Sequence, residues 1–222
     1  MKIIPAILTD SRAVAVSQIA LANEDDRLEV LQLDIIDGWF ADNLTLTPTD
    51  YAEIDFGQLQ LDFHLMTEEP LDYVFELLEQ RDFLPVRSII AQIERMSSQP
   101  TFVDQVKKTG WKVGLSLDLF TPVESIDFEH IAELDFVQIM AIEAGFQGQS
   151  FVMNTVEKIK ELQKIRQEKN YQFEIIVDGG IKPEQVKLLQ SIGVDAATIG
   201  SGLWETVDFS QTLDEIFSTV RE

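Results

Sequence analysis

The segment Phe173-Glu174-Ile175-Ile176-Val177-Asp178-Gly179-Gly180-Ile181-Lys182-Pro183-Glu184-Gln185-Val186 holds one structural unit of this chain. Its short apolar run reads as a strand, its paired glycines turn the chain, and Pro183 fits the first turn of a helix. Val186, Leu188, Leu189 and Ile192 give that helix a buried face, Gly193 ends it, and a new apolar run follows at 196–199. Strand, crossover helix and second strand form the repeating unit of a parallel sheet that is covered on its outside.

The same alternation runs through the whole chain. Strands are predicted at 3–8, 30–35, 59–65, 86–93, 112–117, 136–141, 173–177 and 196–199, with helices between them. The clearest other helix spans 155–168, where Val156, Ile159, Leu162, Ile165 and Arg166 fall at spacings of three and four. Eight strand and helix pairs in 222 residues predict an α/β fold, a TIM (β/α)₈ barrel, which needs about 250 residues and tolerates about 200. No Ser/Gly linker or shift in composition divides the chain, so residues 1–222 are expected to form one domain.

With 45% hydrophobic and 25% charged residues the chain can build a packed core. Its 17 basic and 39 acidic residues give a net charge of −22, which argues against nucleic acid as a partner. Much of that excess is expected on solvated helix faces, as at Glu68, Glu69, Asp72, Glu76 and Glu79. A small anion is still admissible, because main-chain N–H groups and helix N-termini bind phosphate through a local field. The absence of cysteine excludes disulfides and thiolate metal sites and suits a reducing, cytoplasmic setting. The apolar start at residues 1–8 is too short to cross a membrane and reads as the first strand.

Polar residues gather where the apolar runs end, the face on which barrels of this type build active sites. Asp34 ends the second run, His64 the third and Asp178 the seventh. Taken singly, either aspartate reads equally well as a turn former, since Asp34 precedes Asp37-Gly38 and Asp178 precedes Gly179-Gly180. His64 alone reads as a hydrogen-bonded structural histidine. Their joint placement on three strand ends favours a site. Glycine turns at 145–150, 178–180 and 200–202 complete the set, the last two following strands seven and eight, where barrels often hold phosphate.

These residues are also where the chain resembles the ribulose-phosphate 3-epimerase family. The likeness is carried, in order, by Ile4-Pro5-Ala6-Ile7-Leu8, Leu33-Asp34-Ile35-Ile36-Asp37-Gly38-Trp39-Phe40 with Asn43 and Pro48, Asp62-Phe63-His64-Leu65-Met66, Glu69-Pro70, Thr121-Pro122, Gly145 to Phe151, Val177-Asp178-Gly179-Gly180 and Gly200-Ser201. The resemblance implies a ribulose-phosphate-binding barrel that interconverts D-ribulose 5-phosphate and D-xylulose 5-phosphate by two-acid proton transfer through an enediolate. It casts Asp34 and Asp178 as the acid pair, Met66 and Met140 as pocket walls, and Gly145, Gly148, Gly179, Gly180, Gly200 and Ser201 as the phosphate cradle. It also implies a homo-oligomer that acts on a small phosphorylated sugar in the pentose phosphate pathway.

The family holds a divalent metal between two histidines and the two aspartates, and here the position two residues before Asp34 is Gln32. A metal set of Gln32, Asp34, His64 and Asp178 is therefore expected to hold zinc, manganese, iron or cobalt weakly or not at all. Ala6 stands where the family carries a serine, Ile36 replaces a pocket methionine, Glu143-Ala144 an Asn-Pro pair, and Gln147 enters the glycine loop. Two readings follow: an epimerase for this or another phosphorylated ketose, and a sugar-phosphate-binding homologue without turnover. The related decarboxylases and hexulose-phosphate synthases use an Asp-x-Lys pattern that Asp62-Phe63-His64 lacks. His130, the other histidine, is expected in a helical stretch before strand six, away from the site.

Overall fold

The computed structural model describes residues 1–127 and 134–221 and contains a closed barrel of eight parallel strands. The strands are β1 (Lys2–Ile7), β2 (Val30–Ile36), β3 (Gln60–Met66), β4 (Val86–Gln92), β5 (Lys112–Leu117), β6 (Phe136–Met140), β7 (Glu174–Asp178) and β8 (Ala196–Ile199), and β8 pairs with β1 to close the sheet. Each expected strand is present with its ends within one residue of the expected bounds, and 112–117 and 196–199 match at both ends. The helices are α1 (Arg12–Asn23), α2 (Pro48–Tyr51), α3 (Pro70–Glu79), α4 (Gln99–Thr109), α5 (Thr155–Lys169), α6 (Pro183–Ser191), α7 (Ser201–Trp204) and α8 (Phe209–Arg221).

Two helix expectations are refined. After β2 the crossover contains only the single turn α2, fixed by reciprocal bonds between Thr47 and Asp50. Between β5 and β6 the described residues contain a 3₁₀ turn, Val123–Ser125, and the stretch around His130 lies outside them. In α5, Val156, Ile159 and Leu162 are buried as expected. Arg166 instead reaches out, donating to the Phe173 carbonyl and pairing with Asp195.

Strand alternation sorts the core into layers. Residues such as Leu31, Leu33, Ile89, Val137, Ile139 and Ile175 face outward and pack with α1, α3, α4, α5, α6 and α8 residues, among them Ile19, Leu77, Phe102, Ile159, Leu189 and Ile216. A second cluster, Ile4, Val30, Ile90, Phe136, Ile176 and Ala196, fills the lower interior of the barrel. A third, Ile36, Met66, Met140, Ile142 and Ala144, lines the C-terminal mouth. Fully burying each large aliphatic side chain contributes roughly 1.5–3 kcal/mol, which makes the outward cluster the main source of stability.

Between the apolar floor and the mouth the inward positions become polar. Gln32 of β2, Asp34 of β2, His64 of β3, Gln92 of β4, Ser116 of β5, Gln138 of β6, Asp178 of β7 and Thr198 of β8 are all buried. Below them Asp62 forms a two-pronged ion pair with Arg87 of β4 and accepts from Ser88 Oγ at 2.6 Å. The Arg87 guanidinium lies 5.1 Å from the Phe136 ring centre, so this pair sits against the apolar floor rather than the reaction face.

Candidate active site

The parallel register of β2 and β3 sets Asp34 opposite His64. Two hydrogen bonds from one hydroxyl fix the end of β2, because Thr45 Oγ1 donates to the Asp34 carbonyl at 2.8 Å and accepts from the Ile36 amide at 2.9 Å. On the far side of the barrel, the Asp178 carbonyl accepts from the Ala141 amide at 2.7 Å, which ties the end of β7 to β6. Both aspartates are therefore held by their main chains, with their side chains turned inward.

Neither carboxylate caps a turn. The turn is capped by Asp37, whose Oδ1 accepts from the amides of Trp39 and Phe40, and whose Oδ2 accepts from that of Glu68 at 2.7 Å. Asp34 Oδ1 instead lies 3.1 Å from His64 Nδ1, and Asp178 Oδ2 lies 3.6 Å from the same nitrogen. One ligand atom from each of Asp34, His64 and Asp178 lies within 4.8 Å of the others, a cluster of the kind that can hold a metal ion.

Gln32 joins these three residues, but with the end of its amide opposite to the one a metal needs. Its Nε2 donates to Asp34 Oδ1 at 2.8 Å and to Asp178 Oδ2 at 2.7 Å, and lies 3.4 Å from His64 Nδ1. Its Oε1 accepts from Thr198 Oγ1 at 3.3 Å. In this arrangement the amide presents its hydrogens, and not its oxygen, to the carboxylates. A metal held by all four residues requires lone pairs converging on one point, so the four as arranged do not fit it.

Two further glutamines surround the cluster and were not singled out from sequence. Gln138 Nε2 donates to Asp178 Oδ2 at 3.2 Å, and Gln92 Nε2 lies 3.2 Å from His64 Nε2. With Gln92 donating, the imidazole is neutral and carries its proton on Nδ1, directed at Asp34. Among the described residues Gln92 Oε1 has no partner, so turning that amide over would satisfy a proton on Nε2. The available signal was a glutamine inside an otherwise apolar strand, as in Ile90-Ala91-Gln92-Ile93 and Val137-Gln138-Ile139.

The electrostatics separate the titrating groups. Burial raises the Asp178 pKa, the charge of Asp34 raises it further, and His64 and the Gln32 hydrogen bond offset only part, leaving it at about 7. Burial by itself would depress His64. The hydrogen bond to Asp34 and the charges of Asp34, Asp178 and Glu94 outweigh burial, and its pKa lies above the ordinary value. Near neutral pH Asp178 can thus exchange a proton, and His64 favours its protonated form more than a free imidazole does.

Above the acids a single cavity is lined by Asp34, Asp178, Met66, Met140 and Ala6, and by Gly145, Gly148, Gly179, Gly180, Gly200 and Ser201. The expected pocket and cradle residues therefore converge with the acid pair. Gly180 has φ +66°, and a Cβ placed there would come within 2.4 Å of the Phe151 nitrogen, so no other residue fits this turn without displacing the main chain. Gln147 also lines the cavity, with its Oε1 beside Gly200.

The ribulose-phosphate 3 epimerase family model matches residues 2–204. The chain belongs to this family. It is 31% identical over 225 aligned positions to ribulose-phosphate 3-epimerase of Bacillus subtilis, covering 97% of this chain and 98% of the relative. The chloroplastic ribulose-5-phosphate-3-epimerase of Arabidopsis thaliana is 32% identical, over 86% of this chain and 67% of that protein. Among solved structures, 3-hexulose-6-phosphate synthase from Salmonella typhimurium superposes with a TM-score of 0.69 at 15% identity, covering 100% of this chain and 99% of that one. Phosphoribosyl anthranilate isomerase from Thermus thermophilus gives 0.67 at 14%, covering 100% and 98%. The two structural likenesses bear on the fold alone. No helix among the described residues is long and apolar enough to cross a membrane.

Proposed function

We propose that this protein is a ribulose-phosphate 3-epimerase that interconverts D-ribulose 5-phosphate and D-xylulose 5-phosphate. The observation that carries the reading is the convergence of two buried acids, Asp34 and Asp178, on one cavity that the glycine turns also line. Family membership supplies the substrate class, and the relatives named above carry the epimerase name.

In this reading Asp34 takes the proton from the carbon beside the ketone while Asp178, protonated, returns one to the opposite face; the reverse reaction exchanges the roles. Charge that develops on the enediolate is met by the proton held at Asp178, while His64, bonded to Asp34, holds that acid in place. Met66 and Met140 flank the reacting end, and the turns at Gly145, Gly148, Gly179, Gly180, Gly200 and Ser201 take the phosphate through main-chain N–H groups. A neutral cradle of this kind suits an acidic protein, because it needs no cationic surface to hold a dianion.

The reaction can be followed in deuterated water with ribulose 5-phosphate as substrate. Deuterium should enter at carbon three, and its absence both with chelator and with zinc, manganese, cobalt or iron supplied would exclude this substrate. The replacement of a family histidine by Gln32 favours a second reading, a sugar-phosphate-binding protein without turnover. It predicts saturable binding of ribulose 5-phosphate with no exchange.

A further inference from the structure

We propose that the Gln32 side-chain amide stands in for a metal ion in this chain, bridging Asp34 and Asp178 as a neutral donor so that the acid pair is held without a cation. What the bridge serves rests on the epimerase reading; the bridge itself rests on the geometry. Two carboxylates facing the same small space repel one another, and a proton on one of them, a cation or a hydrogen-bond donor between them relieves that repulsion. A cation is one solution, and a primary amide with two hydrogens on one nitrogen is another. Gln32 Nε2 fulfils that requirement, 2.8 Å from one acid oxygen and 2.7 Å from the other.

The surrounding side chains are arranged for the amide. Thr198 Oγ1 bonds the Gln32 oxygen and leaves both N–H groups for the acids. Gln138 adds a second donor to the same Asp178 oxygen, and Gln92 occupies the far nitrogen of His64. Each of these three residues projects inward from a different strand and is fully buried. Were Gln32 turned over, its oxygen would face two carboxylate oxygens, and three acceptors would crowd one point. Gln32 is thus a positioning residue: it sets the spacing and orientation of the two acids and takes no proton itself.

Calorimetric titration of the full chain with zinc and with manganese, after dialysis against chelator, tests the proposal independently of turnover. The wild type should show no one-to-one binding, whereas Gln32→His should bind one metal per chain. Gln32→Met, of similar length but without donors, should lower kcat for ribulose 5-phosphate by about 10- to 100-fold, the scale of a lost orienting contact, while leaving KM nearly unchanged. Tight one-to-one metal binding by the wild type, or a wild-type kcat in folded Gln32→Met, would overturn it. Deuterium exchange that persists in chelator supports the bridge, whereas exchange lost to chelator and restored by manganese defeats it and leaves the epimerase reading intact. If no exchange occurs under any condition, the epimerase reading fails, while a wild type that still refuses metal continues to support the bridge.

Discussion

Gln138 reaches Asp178 from the neighbouring strand, its amide nitrogen 3.2 Å from the carboxylate oxygen that also receives Gln32. Two donors on one buried oxygen favour the ionised form, yet burial and the facing charge of Asp34 hold the Asp178 pKa near 7. Near neutral pH the acid is therefore poised between its two states. Asp178→Asn and Asp34→Asn should each reduce deuterium incorporation at carbon three by at least about 10³-fold, because in the proposed reaction each is one of two obligatory proton carriers. A variant that retained a tenth of wild-type exchange would show that its aspartate is not one of them.

The raised pKa also predicts how stability depends on pH. A carboxylic acid whose folded-state pKa exceeds its unfolded value binds protons more tightly when folded, so its contribution is complete below about pH 4 and is lost as pH rises through about 7. Asp178→Asn cannot ionise and should escape that loss. Its melting temperature should exceed that of the wild type by a few degrees at pH 8, with a smaller difference at pH 5, as read by differential scanning calorimetry. Equal differences at the two pH values would contradict the assignment.

At the opposite end of the barrel, Asp62 and Arg87 form an ion pair whose side chains are only 1% and 10% exposed. Removing one partner strands the other charge in a low-dielectric interior, at a cost of roughly 3–5 kcal/mol. Arg87→Met and Asp62→Asn should each show that loss in urea unfolding. The double variant should lose less than the sum, since neither charge is then left alone. Turnover per folded molecule should change little, because this pair lies on the far side of the polar layer from the cavity.

The proposed phosphate cradle can be tested by charge. Ser201 lines the cavity at the start of α7 and is only partly buried, so Ser201→Asp should fold normally. A carboxylate there would repel a phosphate dianion and should raise KM for ribulose 5-phosphate by about 10-fold or more, on the scale of one charge pair at short range in a partly wet site. Inorganic phosphate should lose its competition in parallel. An unchanged KM would move the phosphate elsewhere.

The barrel was legible in the sequence because its strands are continuous apolar runs, which only a sheet covered on one side and filled on the other tolerates. Asp34, His64 and Asp178 were legible for a related reason: each interrupts or closes such a run, and the closed sheet then brings the three runs to one rim. The role of Gln32 was only half visible. Its replacement of a histidine marked the position, but which end of an amide faces the acids depends on partners from β7 and β8, distant in sequence. Gln92 and Gln138 escaped notice because a lone glutamine in a strand gives no motif, and the register that aims them is a property of the assembled barrel. The turn-forming and inward-facing aspartates of the β2 segment, Asp37 and Asp34, were separable only once the Thr45 hydroxyl and the Glu68 amide were in place.

The pairing of β8 with β1 has a consequence beyond the reaction centre. A sheet that meets its own beginning offers no unpaired margin, so no foreign chain can extend it by adding a strand, the route by which open sheets seed fibrils. Copies of this protein that associate must do so through side chains of the outer helices and rim loops. Such contacts can be tuned by surface substitution without disturbing a single rung of the ladder inside.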